Sequence, residues 1–594
     1  MLVHQQVTDS KATHLEMVSV SRTIILHSNA QRPTVNLDYG EFIGSDDSET
    51  GITSYLGIRY ADAPTGDMRW QPAVSPPSSN VGTVDATQFA NICIGIGQTG
   101  DQASEDCLFG NVFVPSGTTS DSGLPVMVWF HGGGFQSGST RDFDPTMLIK
   151  SSAHPMMFVS FAYRLGALGF LGGSRLKEEG QLNIGLRDQR TALQWVQTYI
   201  SEFGGDPNFV TISGQSGGAG SNMFHLLANE GDTGDLFHAV MGDSPSLSFT
   251  PTFDSDFVEG IFNQFSSNTG CGINTSEDVM SCLRSTEIDT LVSSWNRLVA
   301  NRSSTLFNFA PIVDGDFITV EPVEGFRSGN FANVPVMFGS NSNEGAGWSA
   351  GLRNSAANTA EKNSSERTVF NFLHGQWPSL NQTAFNEGLH LYQLNGLGTF
   401  NQQGSDMYGE ARYVCTAGLI TQSLSDAGQM AYQYEYNNPH LGSTHGSELQ
   451  GLFLMQGSLS KANVQDLQLF QAMREYWSSF VTTGVPTSAS ADVDWDAVSV
   501  TGSSDDGSPR ILLQPGGIAM ENIGTALDQR CDFWHNNLGG QAFAESPDPD
   551  PSATSNTPGT TQTSTETSDS RRVPVDYWPL FALSLCTAVM LIAL

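Results

Sequence analysis

The stretch Gly214-Gln215-Ser216-Gly217-Gly218 constrains this chain more than any other. It lies between an apolar run, Phe209-Val210-Thr211-Ile212, and a helix-capable run from Ala219 to Ala228. That context predicts strand, sharp turn, helix. So tight a turn forces its central residue into strained backbone angles and leaves little room for neighbouring side chains. The flanking glycines relieve that crowding. Ser216 then stands exposed at a helix N-terminus beside backbone N–H groups, as a nucleophilic serine must. The five residues alone prove little. With 62 glycines in 594 residues, such a pattern arises by chance about once in two chains of this kind. The surrounding chain has to decide.

Upstream, Leu124-Pro125-Val126-Met127-Val128-Trp129-Phe130 is a continuous apolar run of strand length, ending in His131-Gly132-Gly133-Gly134-Phe135. Three successive glycines leave backbone N–H groups unobstructed, so that they can converge on a developing oxyanion. Met156 to Tyr163 predicts another buried strand. Residues 185–203 carry helical periodicity, with Leu186, Leu193, Val196 and Ile200 on one face. Strands alternating with helices predict a mainly parallel sheet. Residues 34–85 alternate apolar and polar between turns at Asp38-Tyr39-Gly40 and Ser48-Glu49-Thr50-Gly51, and read as short hairpin strands.

The motifs Glu105-Asp106-Cys107-Leu108, His131-Gly132-Gly133-Gly134-Phe135, Tyr163-Arg164-Leu165-Gly166, Asp188-Gln189-Arg190, Phe203-Gly204-Gly205-Asp206-Pro207 and Gly214–Gly218 stand in one order and spacing. In this the chain resembles the type-B carboxylesterases, which include the cholinesterases and fungal lipases of the α/β-hydrolase fold. The resemblance runs from about residue 34 to about 538. It implies a large, mainly parallel central sheet flanked by helices in a single catalytic domain. Two positions depart from the family: Gly217 stands where alanine is usual, and Gln215 where glutamate is commoner.

The fold's triad order is serine, acid, histidine. Val334–Phe338 predicts a strand that enters Gly339-Ser340-Asn341-Ser342-Asn343-Glu344-Gly345, which is similar to the family's acid-bearing loop. Glu344 thus falls just past a strand's C-terminal end, where open parallel sheets place their sites. Its rival, Asp314, reads as a turn aspartate. Of twelve histidines, His445 in Gly442-Ser443-Thr444-His445-Gly446-Ser447-Glu448 matches the family's catalytic histidine, while His374 and His440 are expected to be solvated in polar loops. The expected site is therefore Ser216, Glu344 and His445, with Gly133, Gly134 and Gly217 giving N–H groups to the oxyanion. No metal or organic cofactor is called for. Arg69 with Glu105, and Arg164 with Asp188, resemble the family's internal ion pairs. Three disulfides are expected, Cys93–Cys107, Cys271–Cys282 and Cys415–Cys531, leaving Cys586 over. The acidic stretch Ser488–Asp506 reads as a solvated surface loop.

A net charge of −35 makes nucleic acid and anionic membrane surfaces poor partners. No cysteine pair has zinc-ligand spacing. Close cysteine pairs and four sequons, at Asn274, Asn301, Asn363 and Asn381, point to an oxidising, secretory route. Residues 1–33 form an N-terminal extension without a clear signal peptide, because Arg22 breaks its best apolar stretch. The catalytic domain is assigned to 34–540. Residues 541–576 form a Ser/Thr/Pro-rich acidic stalk with almost nothing to bury. Residues 577–594 are nearly all apolar, and are read as a glycosylphosphatidylinositol signal or a single-pass membrane anchor. That reading puts the enzyme outside the cell or on its surface, attached through the C-terminus.

The leading function is hydrolysis of neutral carboxylic esters, small molecules, through an acyl-enzyme. Cholinesterases hold a cation with an aromatic residue in the first disulfide loop and with the glutamate beside the nucleophile. Here Ile94–Asp106 contains no aromatic residue and position 215 is glutamine. Interfacial lipases of the family carry a long lid in the same loop, and thirteen residues cannot form and hinge one. A lipase of longer acylglycerols or sterol esters is the alternative. A silent adhesion protein on the same fold would have lost the nucleophile or base, and this chain keeps both.

Overall fold

Strands whose residues are apolar without alternation have to be buried on both faces, so the runs around Val126, Phe158 and Ile212 belong in the middle of a sheet. The computed structural model describes residues 32–272, 278–301, 307–394, 398–453, 458–499 and 507–538. It places those runs at the centre of an eleven-stranded sheet. In chain order its strands are β1 (Ser45–Asp47), β2 (Ile52–Arg59), β3 (Phe109–Pro115), β4 (Leu124–Phe130), β5 (Met157–Phe161), β6 (Gly205–Gly214), β7 (Ala239–Asp243), β8 (Val336–Asn341), β9 (Ala431–Tyr436), β10 (Pro509–Leu513) and β11 (Ala519–Asn522). In space they run β11-β10-β9-β8-β7-β6-β4-β5-β3-β2-β1. From β5 through β4 and β6 to β10 all neighbours are parallel. The edges, β3-β2-β1 on one side and β11 on the other, pair antiparallel. The N-terminal hairpin pairs Thr34–Leu37 with Gly40–Ile43, as the alternating pattern predicts.

Alternate residues of the central strands feed two separate cores. Val126, Val128 and Phe130 of β4 join Val159, Val210 and Ile212 under helices α1 (Ile184–Tyr199) and α2 (Gly217–Leu227). Met127 and Trp129 point the other way, towards Phe470, Met473, Tyr476 and Trp477 of α3 (Val464–Thr483). Covering both faces explains why these strands read as unbroken apolar runs. The predicted helix over 185–203 is α1 followed by a tight 3-10 turn, Ile200–Phe203, which Gly204 closes at φ +88°. A third cluster, including Phe372, Trp377 and Tyr408, packs against Trp534 of α4 (Thr525–Leu538).

Both expected ion pairs form, each at 2.6 Å and nearly dry: Arg69–Glu105 and Arg164–Asp188. The second ties the segment after β5 to α1. All three expected disulfides are present. The stretch from Ser488 departs from its expectation. Asp492, Asp494 and Asp496 are exposed, but Trp495 between them is buried, edge-on against Tyr476 and Tyr432. The acidic residues solubilise a strap that the tryptophan nails to the core. Residues 500–506 of that stretch lie outside the described residues, as do 1–31, the 541–576 stalk and the 577–594 tail. Among the described residues no helix is long and apolar enough to cross a membrane.

Cys415–Cys531 spans 116 residues and joins the helix Cys415–Asp426 to α4. Closing so long a loop restricts the unfolded chain most. Cys531→Ser is expected to lower stability by about 2–5 kcal/mol, read as a shift in the urea unfolding midpoint under non-reducing conditions.

Candidate active site

The site begins where β6 meets β4. The last β6 residue, Gly214, is level with Phe130, the last of β4. The turn that follows crosses directly over the Phe130 carbonyl. A Cβ on Gly218 would lie 2.0 Å from that oxygen, and one on Gly214 2.6 Å from it. Only glycine fits at either place. Between them Ser216 adopts φ 58°, ψ −120°, a conformation that L-residues avoid. It is held there by its own N–H donating to the Asp243 carbonyl at 2.9 Å, and by Gly218 N–H donating to the Gln215 carbonyl at 2.9 Å. The result is a serine on the first turn of α2, at the C-terminal end of the central strand.

Phe130 leads into the glycine loop. Gly133 and Gly134 take φ +106° and +61°, and Phe135 follows at +63°. The loop lies against Ser216: a Cβ on Gly132 would sit 3.0 Å from Ser216 Cβ, and one on Gly217 3.0 Å from the Gly134 nitrogen. Tyr163 O–H donates to the His131 carbonyl at 2.7 Å and its ring stacks on the His131 imidazole. Burial pushes His131 down to about 4, so it stays neutral and acts as packing.

The acid and the histidine arrive together. Beyond the β8–β9 pairing, an isolated bridge joins Asn343 to Thr444. It sets Glu344 and His445, a hundred residues apart in sequence, side by side. Glu344 Oε1 accepts from Asn341 N–H at 2.6 Å and from Ser244 O–H at 2.5 Å. Its Oε2 stands 2.6 Å from His445 Nδ1. A carboxylate so engaged only accepts, so Nδ1 carries the imidazole proton and Nε2 is left as acceptor, 2.8 Å from Ser216 Oγ. Tyr413 stacks on the imidazole at 4.2 Å, and Trp348 meets it edge-on while donating to the Glu344 carbonyl. Gln215 Nε2 lies 3.4 Å from His445 Nε2.

The residues singled out in the sequence thus come together: Ser216, Glu344 and His445 in hydrogen-bond contact, with Gly133, Gly134 and Gly217 on the serine's flank. The rivals are placed elsewhere. Asp314 accepts from the N–H groups of Asp316, Phe317 and Ile318, a turn aspartate. His440 is exposed in a turn, as expected, whereas His374 departs from its expectation as a solvated loop residue. His374 sits on the helix Glu366–Gln376, stacked on Phe370. His440 lies 2.6 Å from the buried Asp466, which caps α3. Sequence reasoning missed Trp348, Tyr413 and the buried carboxyl Asp243, and it gave no part in the site to Ser244 or to Glu448 of the histidine motif. Glu448 Oε2 accepts from the Asn341 amide. Burial first, then the neighbouring charges of Glu344 and Asp243, push Glu448 well above the carboxylate range. Asp243 Oδ1 accepts from Tyr434 O–H at 2.7 Å and Trp477 Nε1–H at 3.2 Å.

A serine on a glycine-walled elbow, at the C-terminal end of a mixed sheet flanked by helices, with a histidine and an acid from later loops, is the arrangement of an α/β-hydrolase. Comparison with known proteins specifies the class further. The chain belongs to the carboxylesterase family, whose model matches residues 31–534. It is 29% identical over 531 residues to Lipase 1 of Geotrichum candidum, covering 80% of this chain and 91% of the lipase. It is 31% identical over 476 residues to acetylcholinesterase of Bungarus fasciatus, covering 73% of this chain and 75% of that enzyme. The crystal structure of Aspergillus niger EstA superposes with a TM-score of 0.75 at 30% identity, covering 85% of this chain and 98% of EstA. The protein is accordingly a carboxylic ester hydrolase.

Burial pushes Asp243 from 3.8 up to about 7. Below pH 4 the carboxyl is protonated in both folded and unfolded chains. As pH rises from about 4 to 7 the unfolded state ionises first, so stability is lost, by on the order of 4 kcal/mol in total. Asp243→Asn removes that titration and keeps an oxygen for Tyr434 and Trp477. The variant is expected to gain stability relative to wild type between pH 4 and 7 in urea unfolding. A difference that stays flat across that range contradicts the assignment.

Proposed function

We propose that the protein hydrolyses neutral carboxylic esters through an acyl-enzyme formed on Ser216. The observation that carries this reading is the continuous line from Ser216 Oγ to His445 Nε2 at 2.8 Å and from His445 Nδ1 to Glu344 Oε2 at 2.6 Å. A serine hydroxyl is a weak nucleophile until a neutral imidazole takes its proton. His445 does so as Ser216 attacks the ester carbonyl, and Glu344 holds the tautomer and stabilises the imidazolium. Negative charge on the carbonyl oxygen is received by the backbone N–H groups of Gly133, Gly134 and Gly217. His445 then protonates the leaving alcohol. In the second half it activates water against the acyl-enzyme, releasing the acid and restoring Ser216.

The neutral-ester reading is supported by what surrounds these atoms. Gln215 places an uncharged amide beside His445, and the rings nearest the imidazole are Tyr413 and Trp348. The Cys93–Cys107 loop is tied down: Gly138 N–H donates to Gln98 at 2.7 Å and Ile96 N–H to the Gln136 carbonyl at 2.8 Å. A loop stitched to the glycine loop has no freedom to act as a hinged lid, which favours soluble esters over the lipase alternative. A silent adhesion role gives no reason for the Ser216–His445–Glu344 contacts.

The three disulfides, and a relative named "Secreted lipase 1" from Botryotinia fuckeliana, are consistent with an extracellular location. The exposed sequon asparagines Asn363 and Asn381 are proposed glycosylation sites. Residues 34–540 are the proposed catalytic domain, carried on the 541–576 stalk and attached through the apolar 577–594 run. A glycosylphosphatidylinositol anchor is preferred to a single-pass helix for that attachment. The spacer after Ser568-Asp569-Ser570 suits a lipid-transfer signal.

Ser216→Ala is expected to fold normally and to lower kcat on p-nitrophenyl esters by something on the order of a millionfold. Substantial turnover by the purified variant removes Ser216 from the mechanism. Phosphatidylinositol-specific phospholipase C, applied to intact expressing cells, is expected to release active esterase. Enzyme that stays in the membrane fraction and retains a Leu580–Leu594 peptide carries a transmembrane helix instead.

A further inference from the structure

Arg412 is 1% exposed, yet among the described residues it has no carboxylate partner. The acid on its own turn, Glu410, is taken by Arg530 at 2.7 Å and Tyr392 at 2.5 Å. Nε of Arg412 bonds to nothing. A buried cation without a counter-ion is costly unless something else receives the charge. Here aromatic faces do. The guanidinium lies 4.1 Å from the centre of the Phe307 ring, 5.7 Å from Tyr408 and 5.9 Å from Tyr413. One arm donates to Ser248 Oγ at 2.9 Å, and the Arg412 carbonyl accepts from Leu247 N–H at 2.9 Å.

The ring that Arg412 covers most closely is the one against the glycine loop. A Cβ on Gly134 would lie 2.0 Å from Phe307 Cε1. Phe307 also meets Trp348, which touches His445, and Tyr413, the residue after Arg412, stacks on His445. Arg412 itself sits in a π-helical turn, Glu410–Val414, inserted between the helices Phe400–Gly409 and Cys415–Asp426. Such insertions redirect side chains at functional sites. The extra residue in the turn lets neighbouring side chains serve different ends, Tyr413 the imidazole and Arg412 the ring over Gly134.

We propose that Arg412 is a positioning residue for ester selectivity: stacked on Phe307, it fixes that ring over Gly134 and so limits the acyl groups that reach Ser216. The inference rests on the reaction proposed above. An acyl chain whose carbonyl oxygen lies in the glycine loop must pass beside Gly134, and a ring fixed there favours short chains. Desolvated cation–π contact is strong enough to hold one ring orientation. Lysine cannot replace it, because a point charge has neither the stacking plane nor the fork that reaches Ser248.

The test is the ratio of kcat/KM for p-nitrophenyl octanoate to that for the acetate, measured on the full chain. Arg412→Met is expected to raise this ratio about tenfold, the range by which pocket fit discriminates chain length. Arg412→Lys is expected to raise it in the same direction with the fold retained, and Ser248→Ala to a smaller extent. Phe307→Ala should raise it as well, and adding Arg412→Met to Phe307→Ala should change it no further, because the arginine acts only through the ring. Rates that fall equally for both esters, leaving the ratio at the wild-type value, assign Arg412 to stability alone and overturn the proposal. So do additive effects in the double variant. Turnover by Ser216→Ala instead contradicts the underlying reaction, and that result is independent of the ratio.

Discussion

The site depends on one close approach, that of the turn after β6 to the end of β4. Gly214 and Gly218 let the turn pass over the Phe130 carbonyl with no room for a side chain. Ser216 is thereby driven into positive φ, and the Asp243 carbonyl takes its N–H and holds it there. This strain is local and is compensated by a sheet buried on both faces, where neighbouring strands allow no slippage of register. The same approach sets the glycine loop against the serine, because that loop is the continuation of β4. Ser216 and the glycine loop are placed by two adjacent parallel strands, before any residue beyond 243 takes part.

The second constraint is electrostatic. Glu344, Glu448 and Asp243 are all buried within reach of one another's charge. A low-dielectric site cannot hold three carboxylates, so the chain distributes the donors unequally. Glu344 receives a backbone N–H, the Ser244 hydroxyl and the imidazole N–H. Glu448 receives the Asn341 amide, and burial with its neighbours' charges pushes it well above the carboxylate range. The donors are therefore gathered on the carboxyl that faces His445. Ser244 serves as a donor to Glu344.

Around this centre the walls are aromatic, and they are joined to the scaffold at a distance. Tyr413 and Trp348 enclose the imidazole, and Phe307 leans on the glycine loop. The turn that carries Tyr413 leads directly into Cys415, which is bonded to Cys531 on α4. The Cys93–Cys107 loop is stitched to the glycine loop by backbone and side-chain hydrogen bonds. The segments that cover the site are thus anchored by covalent or hydrogen-bonded ties.

Much of this was legible in the sequence, and for identifiable reasons. Unbroken apolar runs mean strands buried on both faces, and the glycines around Ser216 and at 132–134 mean backbone in conformations or contacts closed to other residues. These are local signals, set by steric and solvation rules acting over a few residues, and they determined the parallel sheet, the elbow and the glycine loop. Motif order pointed to Glu344 and His445, but their meeting is the work of the Asn343–Thr444 bridge. What the tertiary structure alone decided is everything that depends on which distant chains share a low-dielectric space. Asp243 and Glu448 look like ordinary acids in the sequence, Trp495 is hidden in an acidic stretch, and Arg412 resembles a surface arginine. Their states are set by burial and by partners tens to hundreds of residues away, and a linear pattern carries no record of either.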